Sequence, residues 1–349
     1  MPGRAPPAPR SPPCGRTTPA ALLPYSTCVS PEVAPMLSLP SVPRRVWTAV
    51  GALLLLAALT ALVALPRPEN RDASARQGNA PTKIVDSDIP WPREGQAAVA
   101  LEGSGQVLTH GAQRPVPIAS LTKVMTAYVV LTGHPLRPGE EGPRIEVDRQ
   151  AAYEAGVGGE STVVVTPGDR RTERELLQLL LLPSANNIAR LLARWDAGSE
   201  EAFVRKMQRA AQDLGMRDTT YTDASGIASA TTSTAADQLK LAREAMRNPV
   251  LRDIVATRET TVPGAGPVAN TNTLLGTSGV VGLKTGSSTP AGGNLLWAAE
   301  TDGTHLLLGA VLHQRANTTP AEGLTAALEA SRTLIDGLRA RLRSAGSES

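Results

Sequence analysis

Ser120-Leu-Thr-Lys123 sets a hydroxyl and an amine three residues apart, a spacing that places both on one face of a helix. At the start of that helix, its N-terminus would also favour negative charge developing near Ser120. A serine beside an amine base is an activated nucleophile once burial or a second cation depresses the lysine pKa. Alone, the tetrapeptide also reads as a helix cap followed by a surface lysine. Ser184-Ala-Asn186 follows the apolar run Leu179 to Leu182 and Pro183, a turn that either presents a hydroxyl and an amide to a cleft or simply caps the next helix. Leu283-Lys-Thr-Gly286 sits at the end of an apolar strand. There Lys284 and Thr285 suit a carboxylate, and Gly286 lets a ligand approach the backbone. By itself this is also an ordinary strand exit.

Order and spacing bind the three pieces together. Ser120 and Ser184 are 64 residues apart, and Ser184 and Lys284 are 100 apart. The chain has five lysines against thirty arginines, and two of the five, Lys123 and Lys284, occupy the two positions that need an amine; unlike arginine, a lysine can give up its proton. Such a triple pattern marks class A β-lactamases and penicillin-binding proteins.

The elements that must hold these residues are legible around them. Gln96 to Leu101 and Gln106 to Thr109 read as a strand hairpin across Gly103-Ser-Gly105. A helix is expected from about Ala119 to Leu131, and a short strand at Ser161 to Val165. Thr172-Glu-Arg-Glu175 is a capping box for a leucine-rich helix ending near Leu182. Helices follow at about Asn187 to Trp195, Glu200 to Leu214 and Ala235 to Arg247. Strands return at Val280 to Thr285, Asn294 to Glu300 and Thr304 to Leu312, and a last helix spans roughly Pro320 to Leu342. Strands at both ends and helices between imply an α+β fold with one sheet completed by both ends of the chain.

On these residues the sequence resembles the low-molecular-mass D-alanyl-D-alanine carboxypeptidases, penicillin-binding serine peptidases of actinobacterial type. The likeness covers about Trp91 to Leu312. It extends to Trp91-Pro92, Gly95-Gln-Ala-Ala-Val99, Pro117-Ile-Ala-Ser-Leu-Thr-Lys-Val-Met-Thr126, Tyr221-Thr-Asp-Ala-Ser-Gly226 and Asn270-Thr-Asn-Thr-Leu-Leu275. The resemblance implies a serine β-lactamase/DD-peptidase-like fold, an antiparallel sheet flanked by helices with an inserted helical region. It implies that Ser120 attacks the D-Ala-D-Ala carbonyl while Lys123 takes its proton. Ser184 would relay a proton to the leaving D-alanine, Asn186 orient Lys123 and the substrate amide, and Lys284 and Thr285 hold the terminal carboxylate. Beyond Gly286, Ser287 would share an oxyanion hole with Ser120 through their backbone N–H groups. The expected partners are a peptidoglycan stem peptide and, as covalent inhibitors, β-lactams. Many family members have Asp where this chain has Asn187.

Composition narrows the rest. Aromatics are 3%, too few for a stacking platform for sugars or bases. Residues 1–45 hold five arginines against Glu32, for +4, so with a total of +3 the remainder carries −1 and has no footprint for nucleic acid. That Pro-rich tail is expected to be disordered and cytoplasmic, unless translation starts at Met36. Residues 46–65, Val46 to Leu65, form an uncharged apolar run long enough to span a bilayer (about 20 residues). Arg44 and Arg45 before it place its start in the cytoplasm. No A-x-A pair ends the run, which favours an uncleaved anchor over a signal peptide. Residues 66–92 read as a linker and 93–342 as an extracytoplasmic catalytic domain. Both cysteines, Cys14 and Cys28, precede the anchor, so the body has no disulfide or thiol nucleophile. No cofactor or metal is expected, with no H-x-x-x-H pair present. His110, His134, His305 and His313 lie in no recognisable triad motif. Two rivals share the motifs. A class A-like β-lactamase needs a Glu for deacylation, and Glu244-Ala-Met-Arg-Asn248 fits that need poorly. A non-turnover penicillin- or wall-binding sensor differs only in deacylation rate.

Overall fold

The computed structural model describes residues 89–347, apart from residue 157 and residues 302–304. The tail at 1–45, the apolar run at 46–65 and the linker as far as residue 88 lie outside the described residues. Among the described residues no helix is long and apolar enough to cross a membrane.

Five strands make the central sheet: β1 (Gln96–Leu101), β2 (Val107–His110), β9 (Val280–Ser288), β10 (Gly292–Glu300) and β11 (Leu306–Gln314). Their order is β2-β1-β11-β10-β9, antiparallel throughout, so the first and last strands of the chain meet at the β1–β11 seam. Both faces of the sheet are covered, and the period-2 alternation of β10 shows how. Leu295, Trp297 and Ala299 join a core with the terminal helix α8 (Pro320–Ser347), through Leu334, Ile335 and Leu338. Leu296 and Ala298 face the larger core of the helical region. Ile89 and Trp91 already pack with the α8 side.

Between β2 and β9 the chain builds the helical region. A 3-10 turn at Ala119–Leu121 leads into α1 (Thr122–Gly133). Then come α2 (Arg149–Tyr153), α3 (Glu173–Leu181), α4 (Asn186–Ala197), α5 (Glu200–Asp213), α6 (Ala235–Arg247) and α7 (Pro249–Ala256). Three small ladders pair β3 (Val116–Pro117) with β6 (Thr232–Ser233), β4 (Arg144–Glu146) with β5 (Arg170–Thr172), and β7 (Glu259–Val262) with β8 (Gly266–Ala269). The capping box forms as the sequence predicts: Thr172 Oγ1 accepts from Glu175 N, and Glu175 accepts from Thr172 N. Ser199, Thr234 and Asn248 cap α5, α6 and α7 with side-chain oxygens that accept from first-turn N–H groups.

The structure departs from the sequence reading at several places. Ser161 to Val165 is not a strand. Its backbone is taken instead by α4: Asn186 N donates to Ser161 O, and the Asn187 amide bonds both N–H and C=O of Val163. The apolar strand expected to end at Thr285 continues to Ser288, so the Lys284–Gly286 motif lies within β9. Helices α2 and α7, the β3–β6 and β4–β5 ladders and the β7–β8 hairpin have no counterpart in the sequence reading; Pro249 at the first turn opens α7 behind the Asn248 cap.

Candidate active site

Ser120 sits on the 3-10 turn, just ahead of α1, and its neighbour Ala119 is in the left-handed region at φ 48°. A non-glycine residue there carries strain that the surroundings must hold. Ala119 O accepts from Thr122 Oγ1. Against it packs Gly226, whose own positive φ and lack of Cβ are required, because a Cβ would overlap the Ala119 carbonyl.

One turn on, the Lys123 amine is fully buried. Its Nζ lies 2.8 Å from Ser120 Oγ, 2.5 Å from Asn186 Oδ1 and 2.7 Å from the Ser225 carbonyl. Burial, and then the positive charge of Lys284, hold Lys123 well below its ordinary pKa, so the amine tends to the neutral form. A neutral amine has two hydrogens and one lone pair. Asn186 Oδ1 and Ser225 O are acceptors and take the hydrogens; the lone pair then faces the Ser120 hydroxyl, which donates to it. That is the arrangement of a base ready to remove the Ser120 proton.

No sequence pattern assigns the Ser225 carbonyl to the site, although Tyr221–Gly226 carries part of the family resemblance. Its placement comes from Asp223, whose Oδ2 accepts from the N–H groups of Ser225, Gly226 and Ile227 and from Ser225 Oγ, while Oδ1 accepts from Thr231 Oγ1. Five donors on one carboxylate fold the loop into a fixed turn that aims Ser225 O at Lys123.

Ser184 and Asn186 stand where α3 gives way to α4. Ser184 is also left-handed, at φ 67°, and its buried Oγ has no protein partner. Asn186 is brought to Lys123; no hydrogen bond ties Ser184 to it. Asn187 next to it is fully buried and satisfied: Nδ2 donates to Ala151 O (3.0 Å) and Val163 O (2.9 Å), and Oδ1 accepts from Val163 N (3.2 Å). An Asp would lose both donors, which gives the Asn a physical reason here.

Strand β9 closes the other side and is the sheet's edge, paired only with β10. Gly286 packs so tightly on the 3-10 turn that a Cβ would sit 2.9 Å from Ser120 N and 2.8 Å from Ile118 O. The first and third motifs are therefore in direct contact. Lys284 is fully buried, donating to Thr285 O (3.1 Å) and, at 3.4 Å, to Thr271 Oγ1, which in turn lies 2.5 Å from Thr285 Oγ1. No carboxylate pairs with Lys284 among the described residues, and burial pulls its pKa down to about 7. Ser287 is half-buried on β9, opposite Gly293, which is itself opposite Gln314. By that register the exposed Arg315, one residue past Gln314, stands at the same end of the sheet; the sequence offered no spacing that singled it out.

His134 pairs with Asp196 at 3.1 Å, but at the far end of α1, about 16 Å of helix rise from Lys123. Glu244 lies on α6 and pairs with Arg247. Among the described residues no group of His, Cys, Asp and Glu is arranged to hold a metal.

The family model for D-alanyl-D-alanine carboxypeptidase (peptidase S11) matches residues 90–315. This chain belongs to that family. A D-alanyl-D-alanine carboxypeptidase of Streptomyces sp. strain K15 is 35% identical over 232 residues, 60% of this chain and 77% of that one. A D-alanyl-D-alanine endopeptidase of Pseudomonas aeruginosa is 33% identical over 231 residues, covering 63% and 71%. Among solved structures, the Streptomyces K15 DD-transpeptidase superposes with a TM-score of 0.61 at 28% identity over 70% of this chain and 96% of that one. Penicillin-binding protein 6B of Escherichia coli superposes at 0.62 and 29% identity over 72% and 80%. The family makes this chain a serine-type hydrolase, and the α+β architecture above is the DD-peptidase-like fold.

Proposed function

We propose that the enzyme removes the terminal D-alanine from peptidoglycan stem peptides, as a carboxypeptidase, through an acyl-enzyme on Ser120. The observation that carries this reading is Lys284: a buried amine with no carboxylate partner among the described residues, beside a serine–lysine pair. A substrate ending in a free carboxylate supplies the missing counter-charge and thereby places its last amide over Ser120. Thr285 adds a hydroxyl to that carboxylate, and Arg315 adds positive charge at the same end of the sheet.

Lys123 takes the Ser120 proton as Oγ bonds to the penultimate carbonyl carbon. The oxyanion is held by the N–H groups of Ser120 and Ser287, a preorganised pair of the kind that supplies much of an enzyme's rate. Asn186 holds Lys123 and the substrate amide. As the C–N bond breaks, the proton passes from Lys123 by way of the unpartnered Ser184 hydroxyl to the departing D-alanine nitrogen. Water then attacks the ester, with Lys123 again as base, and Ser120 is regenerated. A β-lactam acylates Ser120 by the same first steps, its ring amide standing in for the scissile bond. The N-terminal apolar run at 46–65, with Arg44 and Arg45 before it, anchors the chain in the cell membrane, and the catalytic body (93–342) acts on the outer side, where the cell wall lies.

The test is incubation of the purified full-length protein with a fluorescent penicillin and, separately, with a diacetyl-lysyl-D-Ala-D-Ala peptide. Labelling and D-alanine release that both vanish in Ser120→Ala are expected. Labelling without release would indicate a sensor, and rapid penicillin turnover a β-lactamase. Absence of labelling would refute the site.

A further inference from the structure

One carboxylate touches the catalytic cluster without belonging to any of the three motifs. Glu160 lies in the segment 158–165 that is fastened along the start of α4 by Asn186 N and the Asn187 amide. Its Oε2 accepts from Asn186 Nδ2 at 3.0 Å and from both terminal nitrogens of Arg190 at 3.1 Å. Arg190 is one helical turn beyond Asn186, and its Nε donates to Glu154 at 2.8 Å. A turn further, Arg194 holds Asp148 at 2.8 and 2.9 Å and Glu200 at 2.7 Å. Residues 186, 190 and 194 thus share one face of α4. They carry a ladder of charge pairs whose active-site end is Glu160.

That end determines which way the Asn186 amide points. Oδ1 meets the Lys123 amine at 2.5 Å and Nδ2 meets the Glu160 carboxylate. Reversed, the amide would set donor against donor at Lys123 and acceptor against acceptor at Glu160. An amide nitrogen has two hydrogens, so bonding to Glu160 leaves one for the carbonyl of an acyl donor.

We propose that Glu160 is a positioning residue for acylation, acting through Asn186 and, together with Arg190, setting the charge that Lys123 experiences. The inference rests on the Ser120–Lys123 chemistry proposed above. The charged groups facing Lys123 are Lys284 on β9, Asp223 in the turn before β6, Arg190 on α4 and Glu160. Lys284 and Arg190 favour the neutral amine, Asp223 and Glu160 the charged one. Removing the Glu160 charge leaves Arg190 paired with Glu154 alone and makes Lys123 easier to deprotonate. Removing Arg190 does the opposite.

The experiment is the second-order rate of penicillin labelling by the full-length protein, followed across about pH 4 to 9, with a melting temperature for every variant. Glu160→Gln is expected to lower the plateau rate about tenfold or more through a loosened Asn186. It should also move the acid limb of the profile to lower pH. Arg190→Gln should move that limb to higher pH, and the double variant should bring it back towards the wild-type position. An unmoved limb with a rate within about twofold of wild type would overturn the proposal. So would an equal loss at every pH, because a residue that only fastens the loop lowers the rate without shifting a titration. Should Glu160→Gln melt below the assay temperature, Arg190→Gln reads the same limb from the other side. Failure of the wild type to label, or labelling that survives Ser120→Ala, would instead strike the underlying site.

Discussion

Lys284→Met should make the folded protein more stable while disabling it. In the wild type, burial brings the Lys284 amine from an ordinary 10.5 to about 7. Each unit corresponds to about 1.4 kcal/mol, so the folded state carries a penalty of roughly 4 kcal/mol at neutral pH. The lost bonds to Thr285 O and, at 3.4 Å, to Thr271 Oγ1 offset about 1–2 kcal/mol of the gain. A net stabilisation of about 2–3 kcal/mol remains, or roughly 4–10 °C in melting temperature for a domain of this size. The pH dependence is the sharper test. Below about 7 both folded and unfolded chains hold the proton, and the penalty is present in full. Between there and the unfolded pKa of about 10.4, the folded chain sheds the proton first and the penalty fades as pH rises. The advantage of Lys284→Met in thermal melts should therefore be largest at pH 6 to 7, as a rough guide, and small near pH 10. D-alanine release should fall about 100-fold or more, because the substrate carboxylate loses its cation. A variant that melts below wild type at neutral pH, or an advantage that does not shrink with pH, would refute the reasoning that Lys284 is held buried for a ligand.

The two lysines also predict a bell-shaped kcat/KM profile for D-alanine release. The rate should rise with pH as Lys123 loses its proton, then fall above about 7 as Lys284 loses the charge that binds the carboxylate. A plateau running undiminished to pH 9 would contradict the second limb. Asn187→Asp should destabilise by about 2–4 kcal/mol in urea unfolding, since two donors to Ala151 O and Val163 O are lost from a fully buried position. Wild-type stability in that variant would mean that the loop re-forms its bonds elsewhere. Gly286→Ala should depress penicillin labelling by about 100-fold, because the added Cβ would press within 2.9 Å of Ser120 N. Unchanged labelling would show that β9 yields there.

Much of this site could be read from spacing because its chemistry is local. Ser120 and Lys123 meet one helical turn apart, and a three-residue interval is visible in any sequence. The sheet was legible for a similar reason: β1, β10 and β11 are short, nearly continuous apolar runs bounded by turns, the form a strand takes when both its faces are buried. What escaped the sequence reading is long-range and polar. Ser225 offers Lys123 a backbone carbonyl, which every residue type possesses, so no letter in the chain announces it. The segment Ser161 to Val165 has strand-like letters, yet the Asn187 side-chain amide, brought from 24 residues away, bonds the Val163 N–H and C=O in place of a ladder. Glu160 belongs to neither a motif nor a periodic element, and is recognisable only once α4 carries Asn186 and Arg190 to it. The scarcity of lysine adds to the pattern: in a chain that writes Arg for generic charge, amines at 123 and 284 mark positions that call for a lysine, and at 123 the proton must be able to leave. Burial of both amines, one against a hydroxyl and one with no carboxylate among the described residues, is the physical form that hint takes. An arginine at position 123 would keep its charge and offer Ser120 no lone pair, and the cleft would lose the base on which acylation depends.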